Sequence, residues 1–339
     1  MKGKRTLLIT GGAGFIGSNY ITYLLKKHSD IIIVNLDKLT YAGKLSNLNQ
    51  VQNKSNYKFV KGDICDTQLV QNLFVKYEFA GVIHFAAESH VDNSIKNPDA
   101  FINTNVYGTF NLLNIAKNFW MNAPFKPKEN CKTNRFLHIS TDEVYGTLEK
   151  EGLFTETTPY APNSPYSASK ASSDFIVRSY FHTYGMNVVT TNCSNNYGPK
   201  QHDEKLIPTI IRKAINGENI PIYGDGKNIR DWLYVRDHCE GIDITFQKGR
   251  AGETYNIGGK NERDNLYIAN KICQTLDEIR PKATKYSEQI TFVKDRPGHD
   301  FRYAIDASKI ENELGWKAKE NFETGILKTI EWYLNKYKN

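Results

Sequence analysis

The stretch that decides the fold is residues 6–17, T-L-L-I-T-G-G-A-G-F-I-G, near the beginning of a chain of 339 residues. Its first five residues predict a strand, and apolar residues at helical spacing after it (Ile21, Leu24 and Leu25) predict a helix. Glycines between the two permit a tight turn, and the helix N-terminus stabilises phosphate charge. The stretch therefore predicts a dinucleotide-binding turn whose contacts are Gly11, Gly14, Phe15, Ile16 and Gly17.

The end of the second strand indicates which dinucleotide binds. Residues 31–36 predict that strand, which leads to Asp37, 20 residues after Gly17. An acid at this point accepts hydrogen bonds from the adenosine ribose and repels a 2′-phosphate, so NAD is predicted rather than NADP. The alternative is an aspartate of an ordinary turn. Lys38 and Thr40 follow and are expected on the same adenosine side.

Two further strands, residues 57–61 and 81–85, are predicted before the middle of the chain. Asp63 follows the first of them and is expected either near the adenine amino group or as the cap of a helix beginning near Thr67. The sequence leaves both roles open. After the second strand, the small residues Ala86 and Ala87 leave room for the middle of the cofactor.

Residues 136–170 place the candidate catalytic groups. A predicted buried strand ends at the acidic tripeptide T-D-E, and a Ser-Pro sequence then begins a helix with a tyrosine and a lysine four positions apart. Ligands of parallel sheets bind at the carboxyl ends of strands, so these groups are expected in one crevice. The Tyr-x-x-x-Lys spacing alone is weak, because it occurs five times in the chain. The candidate catalytic residues are Thr141, Asp142, Glu143, Tyr166 and Lys170.

Strands and helices alternate from residue 6 to about residue 192, which predicts an α/β fold: a doubly wound, NAD-binding parallel sheet of the Rossmann type. From Cys193 the chain is rich in turns, and a smaller, mixed α/β C-terminal substrate domain is expected. The predicted dinucleotide-binding domain is residues 1–192, to which residues 230–257 return, and the substrate domain is residues 193–229 and 258–339.

Composition narrows the function classes. The net charge of +7 is spread along the chain without a long Lys/Arg block, so nucleic acid is not an expected partner. The sequence contains no apolar run of transmembrane length and no signal-peptide pattern before the first strand. Its five cysteines lack metal or disulfide spacing. We therefore expect a cytoplasmic protein with reduced thiols, no metal and no membrane partner.

Taken together, these motifs resemble the extended short-chain dehydrogenase/reductase family, and within it the 4,6-dehydratases that act on dTDP-glucose. Related sugar-nucleotide epimerases share the glycine turn and the Tyr/Lys pair but generally lack the two acids. Besides the glycine turn, the resemblance is carried by residues 85–89 (FAAES), 140–146 (STDEVYG), 164–170 (SPYSASK), 192–199 (NCSNNYGP), 230–232 (RDW) and 295–300 (DRPGHD).

The resemblance implies a reaction within one site. Tyr166, helped by Lys170 and the nicotinamide charge, would take the C4 hydroxyl proton while hydride passes to NAD, and Thr141 would bond the C4 oxygen. Glu143 would remove the C5 proton and Asp142 would protonate the departing C6 hydroxyl, after which hydride returns to C6. NAD would be tightly bound and regenerated. The product, a 4-keto-6-deoxy sugar nucleotide, would feed deoxysugar synthesis, rhamnose being one example.

The resemblance also implies binding residues and a homodimer, which would pair the helices predicted at residues 101–120 and 164–184 in a four-helix interface. Arg230 is the first choice for the substrate pyrophosphate and Arg296 the second. Further cofactor contacts would be Ile64, Phe85, Ser89, Thr104, Tyr166, Lys170 and Asn196. The other substrate contacts would be Ser89, Thr141, Asn195, Lys205, Leu206, Pro221, Ile222, Tyr223, Asn265 and His299.

Two other functions remain open at this stage. A 4-epimerase, or a dehydratase for another nucleotide sugar, would use the same turn and Tyr/Lys pair. A non-catalytic nucleotide-sensing scaffold would keep the glycine turn without needing the catalytic set. The sequence does not distinguish thymidine from uridine, because that choice depends on the shape of a pocket around one methyl group.

Overall fold

A computed structural model describes residues 5–295 and 299–337. The strands are β1 (Arg5–Thr10), β2 (Ile31–Asp37), β3 (Tyr57–Lys61), β4 (Gly81–His84), β5 (Met121–Ala123), β6 (Lys126–Pro127), β7 (Arg135–Thr141), β8 (Val188–Cys193), β9 (Asn195–Tyr197), β10 (Ile220–Tyr223), β11 (Ile229–Tyr234), β12 (Thr254–Ile257), β13 (Glu262–Asp264), β14 (Ile290–Val293) and β15 (Arg302–Tyr303). The helices are α1 (Phe15–Lys27), α2 (Thr67–Tyr77), α3 (Val91–Lys96), α4 (Pro98–Phe101), α5 (Gly108–Trp120), α6 (Pro165–Tyr184), α7 (Leu206–Ile215), α8 (Val235–Lys248), α9 (Asn265–Ile279), α10 (Ser308–Leu314) and α11 (Phe322–Lys336).

A seven-stranded sheet forms the centre of the larger lobe, in the order β12-β8-β7-β4-β1-β2-β3. Each neighbouring pair is parallel. Apolar clusters cover both faces, as parallel sheets require. The predicted doubly wound fold is therefore confirmed, and the carboxyl ends of its strands lie along one edge.

Helix α6 begins where the Ser-Pro sequence predicts. The Ser164 hydroxyl accepts the Ser167 backbone N–H at 3.0 Å, and Pro165 occupies the first turn, where its missing N–H costs nothing. Gly185, with φ +67°, ends the helix. This start places Tyr166 and Lys170 in the first two turns.

The helix predicted at residues 101–120 is interrupted. A π-helical segment, Ile102–Tyr107, joins α4 to α5. Within it, the Asn105 side chain bonds both the backbone N–H and the carbonyl of Glu88, at 2.8 and 3.0 Å. The π segment thus ties this helix to the chain that follows β4, next to the carboxyl edge of the sheet.

The expected return of residues 230–257 to the large sheet is wrong for its first strand. β12 pairs with the free edge of β8, and α8 packs beside α1. β11 instead pairs with β9, β13 and β15 in a separate small sheet. Because β12 already occupies the edge of β8, β11 has no position left there.

The smaller lobe has its own apolar core, formed mainly by α7, α9 and α11 against β10 and β11. β10 pairs in parallel with β14 beside this core. Throughout residues 5–295 and 299–337, none of the helices combines the length and apolar character needed to cross a membrane.

Candidate active site

A cleft follows the carboxyl ends of the central strands. It brings together every predicted catalytic residue and every predicted cofactor contact, from Gly11 on the glycine turn to Asn196 beyond β8. Of the predicted substrate contacts, Ser89, Thr141, Asn195 and Lys205 line the same cleft. The glycine turn and the catalytic stretch, although more than a hundred residues apart in sequence, therefore share one site.

The glycine turn is closely packed. Gly11 has φ +70°, and a Cβ atom there would lie 2.6 Å from the backbone nitrogen of Ala86. A Cβ on Gly17 would lie 2.5 Å from the carbonyl oxygen of Gly11. Helix α1 begins after Gly14 without a side-chain cap, so its first N–H groups are available to an anion. These features suit the pyrophosphate of a dinucleotide.

Replacing Gly11 with Ala is expected to weaken cofactor binding and to destabilise the protein. The added Cβ meets backbone atoms that cannot move easily, and an L-residue at this φ costs about 1–2 kcal/mol in addition. The matched control is Gly217→Ala, because Gly217 has φ +73° and nothing within 4 Å of its Cβ position. Measuring the NAD content and the melting temperature of both variants separates the effect of the steric clash at Gly11 from the backbone strain that both variants share. Equal effects on NAD content would contradict a role for Gly11 in the cradle.

Asp37 is held rigidly at the end of β2. Its two oxygens accept the backbone N–H groups of Ala13 and Leu39, each at 2.8 Å. Burial raises the pKa of the carboxyl, while these two hydrogen bonds oppose the shift. The carboxyl lines the cleft next to the glycine turn, as expected for a ribose-binding acid.

The structure excludes Asp63 as the side chain that caps α2. The side chain that caps α2 belongs to Asp66, which accepts the Leu69 N–H at 3.0 Å. Asp63 lines the cleft and pairs with Lys38 at 2.7 Å. This pairing and the Cys65 backbone N–H outweigh desolvation and lower the pKa of Asp63. The carboxylate is therefore charged and faces the end of the cleft where Asp37 lies.

The two catalytic acids at the end of β7 occupy different environments. Asp142 is 2% exposed and accepts the Thr141 hydroxyl at 3.3 Å. Burial raises the pKa of the Asp142 carboxyl well above its usual range, and the charges of Glu143 and Asp231 raise it further. Glu143 is only half-buried. Burial therefore favours the protonated form of Asp142, the form that can act as an acid.

Tyr166 and Lys170 line the same cleft as the acids. The Lys170 ammonium donates to the Ile139 carbonyl at 2.8 Å, and burial lowers its pKa to about 8. Burial also raises the pKa of the Tyr166 phenol, as does the charge of Glu143, whereas a hydrogen bond with Thr141 lowers it. The phenol therefore needs positive charge close by before it ionises near neutral pH.

Another Tyr-x-x-x-Lys pair shows why the spacing is a weak signal. Lys27 donates directly to the Tyr23 hydroxyl at 2.7 Å, and both contact Asp243. Tyr23 and Lys27 lie on α1, and Asp243 lies on α8, away from the carboxyl edge of the sheet. Position at the cleft, rather than spacing, distinguishes Tyr166 and Lys170.

The predicted substrate contacts on the smaller lobe differ in their positions and in their burial. Arg230 is 5% exposed, donates to the carbonyls of Ile229, Asp300 and Phe301, and lies 4.2 Å from the centre of the Tyr303 ring. Its positive charge also lowers the pKa of Asp142. Arg230 therefore supports the segment after residue 299 and stands near the catalytic acid. Arg296 lies outside the described residues.

Strand β10 carries three of the predicted substrate contacts, and its two faces differ. Ile222 is 1% exposed and belongs to the core of the smaller lobe, so its side chain is not available to a ligand. Tyr223 is exposed, and its ring lies 6.5 Å from that of His299. Leu206 and Asn265 begin α7 and α9. Pro221 shares the face of Tyr223, because side chains alternate along a strand.

Sequence reasoning missed several residues of the cleft. The segment after Pro199 returns to the large lobe: Asn19 donates to the Pro199 carbonyl at 2.9 Å, and Lys205 donates to the Ser89 carbonyl at 3.1 Å. A sequence signal existed for four of the missed residues, Glu88, Ser140, Cys193 and Ser194, which lie inside the FAAES, STDEVYG and NCSNNYGP motifs. The missed lining residues are Leu36, Ala42, Gly43, Gly62, Glu88, Ile139, Ser140, Cys193, Ser194, Gln201, His202 and Glu204.

Polar atoms in the cleft are ready for ligand contacts. Within the described part of the chain, Asp142 Oδ2, Asn195 Oδ1 and Gln201 Oε1 are buried without a hydrogen-bond partner. Buried polar groups are normally satisfied, so such atoms mark positions where a bound molecule completes the network. With the glycine cradle and Asp37, they fit a dinucleotide beside a hydroxylated substrate.

Comparisons with known proteins find a matching family model, a similar protein and two similar crystal structures. A family model described as GDP-mannose 4,6 dehydratase matches residues 8–329. A dTDP-glucose 4,6-dehydratase of Salmonella typhimurium is 56% identical over 337 residues, covering 97% of this chain and 92% of that protein. The crystal structure of the Bacillus anthracis dTDP-glucose 4,6-dehydratase in complex with NAD matches with a TM-score of 0.87 and 44% identity, covering 98% of both chains. That of the Streptomyces venezuelae enzyme with NAD and TYD bound gives 0.89 and 42%, also covering 98% of both.

Proposed function

Because this chain belongs to the nucleotide-sugar 4,6-dehydratase family, we propose that it converts dTDP-glucose to dTDP-4-keto-6-deoxy-glucose, as an NAD-dependent hydro-lyase. The observation that carries this proposal is the buried Asp142 beside the half-buried Glu143, in the cleft that Tyr166 also lines. A simple 4-epimerase has no use for two such acids. The product would then feed deoxysugar synthesis, for example of rhamnose.

The large lobe holds NAD. The Gly11–Gly17 turn and the start of α1 bind its pyrophosphate, and Asp37 binds the adenosine ribose. When bound, NAD accepts hydride from C4 and returns it to C6 in each turnover. The side chains of the cleft therefore supply the proton transfers and the orientation of the sugar.

Oxidation at C4 begins with removal of the hydroxyl proton by Tyr166. Thr141 hydrogen-bonds the C4 oxygen and the phenol. The Lys170 ammonium, fixed by the Ile139 carbonyl, adds the positive charge that favours phenolate. The resulting 4-ketone acidifies the proton at C5.

Elimination of water follows at the acidic pair. Glu143 removes the C5 proton as general base, and the protonated Asp142 donates to the departing C6 hydroxyl. One proton leaves carbon as another reaches oxygen, so water departs without a free hydroxide ion. The division between acid and base follows from the difference in burial.

The substrate nucleotide lies towards the smaller lobe. Asn195 and Lys205 extend the cleft in that direction, and Tyr223, Arg230 and His299 lie on the lobe itself. We assign NAD to residues 1–192 and 235–257, and the nucleotide to residues 193–234 and 258–339. This division places β11 with the small sheet in which it pairs.

The chain is proposed to form a homodimer through α5, α6 and the π segment. Ile102, Tyr107, Phe110 and Phe175 on these elements are 41–58% exposed, a set of large apolar side chains that a partner copy would cover. Phe175→Glu is expected to give a monomer of 38.7 kDa in sedimentation, because a charge would be buried at the interface. Val75→Glu, at an exposed site on α2, is the control. A wild-type monomer would reject the dimer.

Mass spectrometry of dTDP-glucose incubated with the purified protein tests the proposed reaction. Loss of one water without added NADH is expected, because the redox cycle is internal. If the mass is unchanged, the configuration at C4 is the next measurement. Inversion would mean an epimerase. Retention with every nucleotide sugar tried would mean a binding protein without catalysis.

A further inference from the structure

Behind the catalytic lysine lies a buried charge that the mechanism above does not use. Asp174 follows Lys170 by one helical turn on α6, and both residues are 4% exposed. A carboxylate in such a position is costly unless charge or hydrogen bonds compensate it. Its surroundings therefore indicate what it does.

Asp174 is held by groups from two other parts of the fold. Its Oδ2 accepts the Ser140 hydroxyl at 2.8 Å and the Tyr160 hydroxyl at 3.0 Å. The Tyr160 oxygen in turn accepts the Asn192 amide at 3.1 Å. These bonds fix the carboxyl beneath the carboxyl ends of β7 and β8, where it faces the interior and not the cleft.

His138 stands between Asp174 and Lys170. Its Nε2 lies 3.1 Å from Asp174 Oδ1 and 3.4 Å from Lys170 Nζ. His138 is fully buried on β7, and burial lowers its pKa well below the usual range, so the ring is neutral. A neutral imidazole in contact with both groups fixes their separation without adding a charge.

We propose that Asp174 is a positioning residue, the buried counter-charge that keeps Lys170 an ammonium ion at the cleft, with His138 as the spacer between them. The inference rests on the proposed roles of Tyr166 and Lys170. Lys170 then holds its charge because of a residue that touches neither substrate nor cofactor. The other titratable groups that face this pair are Cys193 on β8, His84 on β4, and Tyr145 and Tyr160.

The charges of Lys170 and Asp174 each shift the pKa of the other group in a definite direction. Burial lowers the pKa of Lys170 to about 8, and the charge of Asp174 opposes that shift. Burial likewise raises the pKa of Asp174 to about 6, and the charge of Lys170 opposes it. Between about pH 6 and 8 both groups are charged and stabilise each other. Without the carboxylate, Lys170 loses its proton at lower pH and Tyr166 loses its cationic neighbour.

The test is an NMR titration of the NAD-loaded protein with lysine labelled at Cε. The Lys170 signal is identified by its absence in Lys170→Met. In Asp174→Asn its midpoint is expected to fall by at least about one pH unit, the size of a single nearby charge. The alkaline limb of kcat should fall with it. An unchanged midpoint, together with lower melting temperature and NAD content, would show a merely structural role and overturn the proposal.

Tyr160→Phe tests the same idea if Asp174→Asn fails to fold. It removes one donor to Asp174 but keeps the charge, so the pKa of Asp174 rises above about 6. The Cε signal of Lys170 should report the Asp174 titration as a second, smaller step near pH 6, and this step should move to higher pH in Tyr160→Phe. Absence of the step in both proteins would contradict the role of Asp174. The titration requires no turnover, so it separates this inference from the proposed function, whose own failure would be the absence of water loss.

Discussion

Replacing Glu143 with Gln is expected to slow water elimination by about 10²- to 10⁴-fold, the usual contribution of a general base. Glutamine keeps the size of the side chain but cannot take the C5 proton. Oxidation at C4 should survive at least in part, because Tyr166 and Lys170 are unchanged. Rapid mixing with dTDP-glucose should therefore show reduced nicotinamide accumulating, while mass spectrometry shows little loss of water.

Two variants accompany this measurement. Asp142→Asn should lose elimination in the same way and cost little stability, because burial favours the neutral form of Asp142 and Asn fills the same space. Glu149→Gln is the matched control at an exposed position outside the cleft and should leave turnover unchanged. Full dehydration in both Glu143→Gln and Asp142→Asn would reject the roles assigned to the acidic pair and favour an epimerase.

Replacing Tyr166 with Phe should stop the reaction one step earlier. Without the phenol oxygen, no group takes the C4 hydroxyl proton, and a loss of about 10²- to 10⁴-fold in C4 oxidation is expected. Reduced nicotinamide should not accumulate, and water loss should fall equally, because elimination depends on the 4-ketone. This pattern differs from that of Glu143→Gln, although both variants lose overall turnover.

Tyr267→Phe is the control for the tyrosine. Tyr267 belongs to another Tyr-x-x-x-Lys pair, but its hydroxyl donates to Glu323 on the surface of the smaller lobe. Turnover should be unchanged in this variant. If Tyr166→Phe still reduced bound NAD at a normal rate, another group would have to be the base, and the assignment of Tyr166 would fail.

Most of the candidate catalytic residues could be predicted, because the sequence patterns that indicate them are local. The glycine turn sits between a strand and a helix, and Asp142 and Glu143 directly follow a buried strand. Tyr166 and Lys170 share a helix face one turn apart. Once parallel strands are predicted, their carboxyl ends must meet at one edge, so these groups converge without knowledge of any long-range contact.

The features that the sequence did not predict depend on contacts between segments that are far apart in the chain. Whether residues 229–234 join the large sheet was decided by β12, which occupies the edge of β8. The inward face of Ile222 and the burial of Arg230 depend on helices far away in sequence. Local propensity carries no information about such competition.

The sequence by itself therefore determined the doubly wound fold and the NAD turn, and it predicted which residues are the candidate acid, base, phenol and ammonium groups. Tertiary structure alone decided that Asp142 favours its protonated form, since burial and the charges of Glu143 and Asp231 together raise its pKa. It alone brought Gln201, His202 and Glu204 to the cleft and placed His138 between Asp174 and Lys170. The physical reason is that the periodicity of helices and strands depends on residues that are neighbours in the chain. The desolvation of a side chain and the charges around it depend on every element packed against it.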